Sequence, residues 1–186
     1  MIGGISIQTG VSPKFDNRRL LKKATSQIHQ LTEDKWFSAG KFNHLELYLN
    51  WLKVMHSVHS QLGGPAAISI GDAVLVTLEN QRITNLNNDL GIKFHQNVNV
   101  TFTPSFSWGV LYSISGSALG ASVLIKEVTQ HANWPTNYIN DINRFAKSGG
   151  VKHFFENLNR TKLNIKEARK GAAAVFLEFA NQKGLN

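Results

Sequence analysis

The sequence predicts an all-α fold: a single-domain helical bundle with a kinked, Gly-rich helix in its second half. Three observations carry that expectation. Apolar residues recur at spacings of three and four along most of the 186 residues. The turn signals Gly63-Gly64-Pro65, Asn133-Trp134-Pro135 and Gly149-Gly150 fall between those stretches. The one alternating run, Val98, Val100 and Phe102, has no convincing partner strand.

The elements follow in order. Residues 17–33 present Leu20, Leu21, Ala24, Ile28 and Leu31 on one helical face, with Asp16 as the N-cap. Residues 41–61 form a second helix through Phe42, Leu45, Leu49, Leu52 and His56 or His59, which the Gly63-Gly64-Pro65 cluster ends. A third helix is expected over 66–82, followed by an Asn-rich loop over 85–99. Pro104 opens a long helix to about His131, interrupted at Gly116 and Gly120. Residues 136–147 are amphipathic through Tyr138, Ile139, Ile142 and Phe145. A helix over 151–161 follows, and a last one over 164–182 carries Ala168, Ala172, Val175, Phe176 and Phe179, with Gly184 as its stop. The chain reads as one domain over 1–186, with 1–15 as an N-terminal extension.

Composition narrows the function. At 42% hydrophobic and 17% charged residues, the chain has the material for a packed core. It contains no cysteine, which excludes disulfide scaffolds, thiolate metal sites and thiol nucleophiles. The net charge of +8 favours acidic partners. The basic residues are scattered: Arg18-Arg19 with Lys22-Lys23, and Lys162, Lys166, Arg169 and Lys170, read as solvated helix faces. With no basic stripe interleaved with aromatics, no nucleic-acid partner is expected. Residues 1–11 lack the charged and apolar regions of a secretory signal, so a cytoplasmic location is expected. Phe94 to Ile125 carries no Asp, Glu, Lys or Arg, but Trp108–Ile125 contains four Ser and three Gly. That stretch reads as a buried helix, not as a membrane insertion.

Two segments carry candidate chemistry. On helix 17–33, Lys22, Thr25 or Ser26, His29 and Glu33 share one face beside the apolar stripe. His29 is open to three readings there: metal ligand, buried structural histidine or half-exposed side chain. Glu33, one turn on, is placed to orient it or to compete with the metal. In the second segment, Gly116 and Gly120 each cost the helix about 1 kcal/mol relative to Ala. Close helix packing, a kink, or close approach of the backbone to a flat ligand would each offset that cost. The usual nucleotide, hydrolase and zinc-protease motifs are missing. His44, His56, His59, His95, His131 and His153 show no ligand spacing, and His56 with His59 reads as a solvated pair.

At these two segments the chain resembles the heme oxygenase family. The first match is Leu21-Lys22-x-Ala24-Thr25-x-x-x-His29-x-x-x-Glu33, and the second is Gly109-x-Leu111-Tyr112-x-x-x-Gly116-Ser117-x-Leu119-Gly120. They occur in the family's order, and the resemblance covers 17–61 and 104–180. It implies that His29 ligates the iron of a heme that is both cofactor and substrate, with Thr25 and Glu33 on the same helix face. Lys22 would meet a heme propionate, and Tyr112 would lie near the propionate edge or distal wall. Arg144 and Lys152 are candidates for a second propionate contact. Gly116 and Gly120 would let backbone approach the heme face, and Ser117 would help hold water there. The implied reaction cleaves heme to biliverdin, carbon monoxide and ferrous iron, using dioxygen and electrons from an acidic donor such as a ferredoxin or a flavin reductase. Two positions depart from the motif: its Glu is Ser115 here, and its last Gly is Ala121. A non-enzymatic heme-binding or sensing protein on the same fold is the alternative. A thiaminase-like relative would need a cysteine, and a di-iron protein would need repeated Glu-x-x-His pairs. An interaction protein that binds no heme is the remaining rival.

Overall fold

The computed structural model describes residues 14–37, 42, 44–93 and 100–181. Among the described residues every regular element is helical. They are α1 (Asn17–Phe37), α2 (Leu45–Ser57), a π-helical turn (Val58–Gly63), α3 (Gly64–Ile70), α4 (Ala73–Leu90), α5 (Pro104–Val128), α6 (Asn137–Lys147), α7 (Gly150–Arg160) and α8 (Ile165–Asn181). Helix α5 is the hub, packing on α8, α6, α3 and α7. Helix α1 lies on α8 and α7, while α2 and α3 pack on α4. No helix among the described residues is long and apolar enough to cross a membrane.

Local chemistry explains most boundaries. Asp16 accepts the first backbone bond of α1 from Leu20, but its carboxylate pairs with Arg19 instead of capping an amide. Asn17 ties that end down by donating to the carbonyls of Leu158 (2.7 Å) and Thr161 (2.8 Å). Asp72 caps α4 by accepting from the amides of Val74 and Leu75. Thr103 caps α5, with Pro104 at its first position. Asn164 does the same for α8. Gly149 at φ +83° makes the tight exit from α6, a conformation L side chains rarely adopt.

Four expectations are corrected. The Gly63-Gly64-Pro65 cluster does not end a helix: the chain stays helical from Leu45 to Ile70 by widening into the π turn. Gly63 is needed there because a side chain would collide with the Glu79 carboxylate. The expected third helix is two, split by Gly71 at φ +76°. Residues 85–90 are not loop: α4 continues through them to Gly91, because Leu86 is fully buried and Asp89 anchors α6. Residues 94–99 and Gly184 lie outside the described residues. The inward face of α1 is also rotated. Leu20 and Leu31 are 40% and 62% exposed, whereas Asn17, Leu21, Thr25 and Trp36 are buried. Tethering of Asn17 to α7 sets that rotation.

The long helix runs through Gly116 and Gly120 without a break. Its close packing is made elsewhere. A Cβ at Gly109 would overlap the Ala168 carbonyl, and one at Gly171 would overlap the Phe106 carbonyl. Backbones of α5 and α8 therefore touch at a seam closed by the 3.1 Å bond from the Ser113 hydroxyl to the Ala172 carbonyl. At Gly116 and Gly120 nothing among the described residues lies within 4 Å of an added Cβ. Opposite stability effects are expected. Gly109→Ala should cost about 1–3 kcal/mol through overpacking, whereas Gly116→Ala should gain up to about 1 kcal/mol in helix propensity. Urea unfolding of the two variants reads the difference, and equal losses would contradict this assignment.

Candidate functional site

The open face of α5 is built from Tyr112, Gly116, Leu119, Gly120 and Val123, spaced by three and four. Leu119 and Val123 are 50% and 47% exposed, unusual for apolar residues on the hub helix. Ser117, also exposed, donates to the Ile114 carbonyl at 2.7 Å, which leaves its oxygen lone pairs able to accept. The two motif departures lie off this face. Ala121 is fully buried in the core, so its methyl adds no bulk beside the glycines. Ser115 is buried as well, so the hydroxyl there replaces an acidic side chain inside the bundle.

Helix α1 meets α5 at Tyr112. The phenol and the Thr25 hydroxyl share a hydrogen bond, and Thr25 itself donates to the Leu21 carbonyl at 2.9 Å. Burial raises the Tyr112 phenol above its ordinary value, and Thr25 and the Arg18 charge oppose that rise. One turn beyond Thr25 stands His29, with its side chain 51% exposed. Its Nδ1 lies 3.4 Å from Glu33 Oε2, and its ring sits edge-on to Phe176 of α8 at 5.5 Å. At that separation Glu33 is a neighbouring charge and not a hydrogen-bond partner of the ring, and Nε2 is the imidazole's other ligand atom. Lys22 is exposed on the same helix.

A cleft of about 380 Å³ opens between the start of α1, the α6–α7 turn and α5. Lys14, Arg18, Leu119, Val151, Lys152 and Phe155 line it. The Arg18 guanidinium lies 4.3 Å from the centre of the Phe155 ring, a cation–π contact. The cleft thus combines an apolar wall with three cations and one carboxylate, Glu156, a net positive lining suited to a flat ligand bearing carboxylates. Arg144 is exposed and pairs with Asp141 at 3.3 Å.

Behind α5 lies a polar cluster that sequence spacing did not reveal. His59 is fully buried, which corrects its reading as half of a solvated pair. Its Nδ1 lies 2.6 Å from Glu79 Oε2, and its Nε2 lies 2.8 Å from the Tyr138 hydroxyl. Arg82 donates to Glu79 Oε1 at 2.7 Å and rests over the Phe145 ring. Burial works to raise the Glu79 carboxyl, but His59 and Arg82 outweigh it and hold it below the ordinary carboxylate value. His56 is half-buried and meets Asn87 at 3.0 Å. The i, i+3 pair Glu79 and Arg82 was the available signal, but such pairs are common on exposed helices. Among the described residues no group of three or more His, Asp or Glu is placed to hold a metal ion.

The architecture matches a known one. The chain superposes on the crystal structure of the NO- and CO-bound heme oxygenase from Neisseria meningitidis with a TM-score of 0.62, covering 88% of each chain at 22% identity. No protein-family model matches the sequence, and no curated protein is a sequence match for it. The fold is that of a heme oxygenase; at this identity the likeness concerns the fold.

The buried cluster sets a pH dependence. Glu79→Gln leaves Arg82 without its counter-charge and should cost about 3 kcal/mol of stability at neutral pH. The native carboxyl is held below its ordinary value of 4.5, so its contribution is complete above that pH. It is lost as the pH falls through the lowered native value. Urea unfolding at a series of pH values should therefore show the gap between wild type and variant closing below 4.5. A gap constant down to the acid limit would contradict the ionised state of Glu79.

Proposed function

We propose, with that fold as premise, that this chain binds heme and cleaves it to biliverdin, carbon monoxide and ferrous iron. Dioxygen and electrons from an external, acidic donor such as a ferredoxin or flavin reductase complete the reaction. One observation carries the reading: α5 keeps two bare glycines facing open space, although each weakens the helix by about 1 kcal/mol. Packing does not account for them, because the close helix contacts lie at Gly109 and Gly171. A flat ligand approaching the backbone does.

The residues present suit heme. His29 would ligate the iron through Nε2, with the Glu33 charge beside the other nitrogen. Lys22 and Lys152 would meet the propionates, joined by Arg18 and Lys14 at the basic cleft. Arg144 would serve this role only by leaving Asp141. Tyr112 and Thr25 would hold α1 and α5 together at the ligand's edge. Gly116 and Gly120 would exclude bulk beside the ring, and the Ser117 oxygen would accept from ordered water there. Bound heme would supply the redox centre and the dioxygen site, and it is itself consumed. The net charge of +8 would draw both the propionates and an acidic electron donor.

Ser115 favours a second reading, heme binding without turnover, because a buried hydroxyl stands at the motif's acidic position. Titration with hemin separates the two. A one-to-one Soret complex that bleaches to a biliverdin spectrum with ascorbate in air is the expected result. A stable complex without biliverdin would favour the second reading, and no saturable complex would overturn both. His29→Ala should shift the Soret band and abolish turnover. Gly120→Leu should weaken hemin binding at least tenfold, equivalent to about 1.4 kcal/mol, and unchanged binding would refute the steric role of that face.

A further inference from the structure

A chain of ring contacts, three stacked and the last two tilted or edge-on, joins the surface to the buried polar cluster. His131 is exposed and stacks on Trp134, with centroids 4.0 Å apart and planes within 12°. Trp134 stacks on Tyr48 at 5.4 Å and 13°, and Tyr48 on Trp51 at 6.0 Å and 20°. Trp51 then meets Tyr138 at 5.7 Å, and Tyr138 meets His59 at 5.4 Å. Filling a core requires apolar bulk, which Phe and Leu supply without polar atoms to satisfy. Phe42 packs beside Tyr48 and Trp51 at 5.2 and 5.3 Å, but the path itself runs through Trp and Tyr, side chains from which an electron is readily removed.

The two tyrosines on the path differ in one respect. The Tyr48 hydroxyl donates to the Pro135 carbonyl at 2.8 Å, an acceptor too weakly basic to take a proton. The Tyr138 hydroxyl lies 2.8 Å from an imidazole nitrogen. Glu79 accepts from the other nitrogen of that imidazole, and Arg82 already balances the Glu79 charge. In its neutral form, with the Nδ1 proton donated to Glu79, His59 offers Nε2 to the phenol as an acceptor. Burial raises the Tyr138 phenol above its ordinary value, so it keeps its proton until it is oxidised.

We infer that Tyr138 is a proton-coupled redox site, with Trp51, Tyr48 and Trp134 as the stepping stones that connect it to the surface. Loss of one electron makes the phenol a strong acid, and its proton crosses the existing hydrogen bond to His59 Nε2. The products are a neutral tyrosyl radical and an imidazolium lying against the Glu79 carboxylate. The electron leaves through Trp51, Tyr48 and Trp134 to a strong one-electron oxidant at the surface, of the class that peroxide and iron generate. An electron from a small reductant such as ascorbate or a thiol then enters at Trp134 and passes through Tyr48 and Trp51. The proton returns from His59 to the Tyr138 oxygen as the radical is reduced, and the donor's own proton goes to solvent. The net result is transfer of one electron from reductant to oxidant. The device would keep oxidising equivalents from damaging the core, and it does not depend on the heme reading.

The test uses the chain without added heme. Photogenerated ruthenium(III) tris-bipyridine is the oxidant, and electron paramagnetic resonance with transient absorption detects the radical. The chain has three tyrosines, so assignment needs few variants. The expected result is a tyrosyl radical that is lost in Tyr138→Phe, kept in Tyr112→Phe, and formed more slowly in Trp134→Phe. His59→Gln, which can hydrogen-bond but takes up no proton, should lose it too. In the unaltered chain its formation should be slower in D₂O, a readout that needs no variant to fold. No tyrosyl radical in the unaltered chain, a signal surviving Tyr138→Phe, or equal rates in H₂O and D₂O would each overturn the inference.

Discussion

The backbone contact between α5 and α8 is the constraint from which the rest of the bundle follows. Two helices touch main chain to main chain only where at least one of them lacks a side chain at the contact, and here Gly109 faces the Ala168 carbonyl while Gly171 faces the Phe106 carbonyl. The Ser113 hydroxyl closes the seam by donating to the Ala172 carbonyl. With α8 fixed on one side, α1 can lie across α8 and meet α5 through Thr25 and Tyr112. The remaining flank of α5 takes α3 and α6. Among the described residues, the strip carrying Gly116, Gly120 and Val123 is the part of α5 left facing outward.

Glycine thus has two opposite roles on one helix. At Gly109 the missing side chain is filled by a neighbouring backbone, and the lost helix propensity is offset by packing. At Gly116 and Gly120 the space among the described residues stays open, and the loss is left uncompensated within the chain. Uncompensated costs of this kind concentrate at functional sites. The cations Lys14, Arg18 and Lys152 gather at the end of this strip, beside the apolar surface of Phe155 and Leu119. Behind it, His59, Glu79, Arg82 and Tyr138 form one hydrogen-bonded, ion-paired cluster in the interior. The π turn exists to make room for that cluster, since Gly63 stands against the Glu79 carboxylate. Site, core and polar cluster therefore share one set of helices and cannot be altered independently.

The helices themselves were legible because their period is local. The spacing of Tyr138, Ile139, Ile142 and Phe145 defined α6, and that of Ala168, Ala172 and Val175 defined α8, before any contact was known. Pro104 marked the start of α5, and the structure adds the caps, Thr103 for α5 and Asn164 for α8. The failures came where a distant residue decided. Gly63-Gly64-Pro65 carries the composition of a turn, yet a carboxylate sixteen residues on, Glu79, requires the glycine inside a helix. Leu20 and Leu31 fitted the apolar face of α1, yet Asn17 and its partners on α7 turned that face elsewhere. The Asn-rich end of α4 read as loop because its buried anchors, Leu86 and Asp89, are sparse.

The candidate site divides the same way. His29, Glu33, Gly116 and Gly120 stood out from residue type and helical spacing, whereas Tyr112 entered only through the resemblance to the heme oxygenase motif. That Gly116 and Gly120 border open space while Gly109 and Gly171 are packed was decided only in three dimensions, because a glycine carries no sign of what fills its gap. The same holds for Lys14, Arg18 and Lys152, which three separate segments bring to one cleft. His59 shows the limit most plainly. Its partners Glu79 and Tyr138 lie 20 and 79 residues away, so only the packing of α4 and α6 around the π turn could make it a buried, doubly partnered histidine and not a surface one. Sequence determined which faces exist, because helical periodicity is a property of neighbours. Tertiary structure decided what each face meets, because burial and charge pairing are properties of residues far apart along the chain.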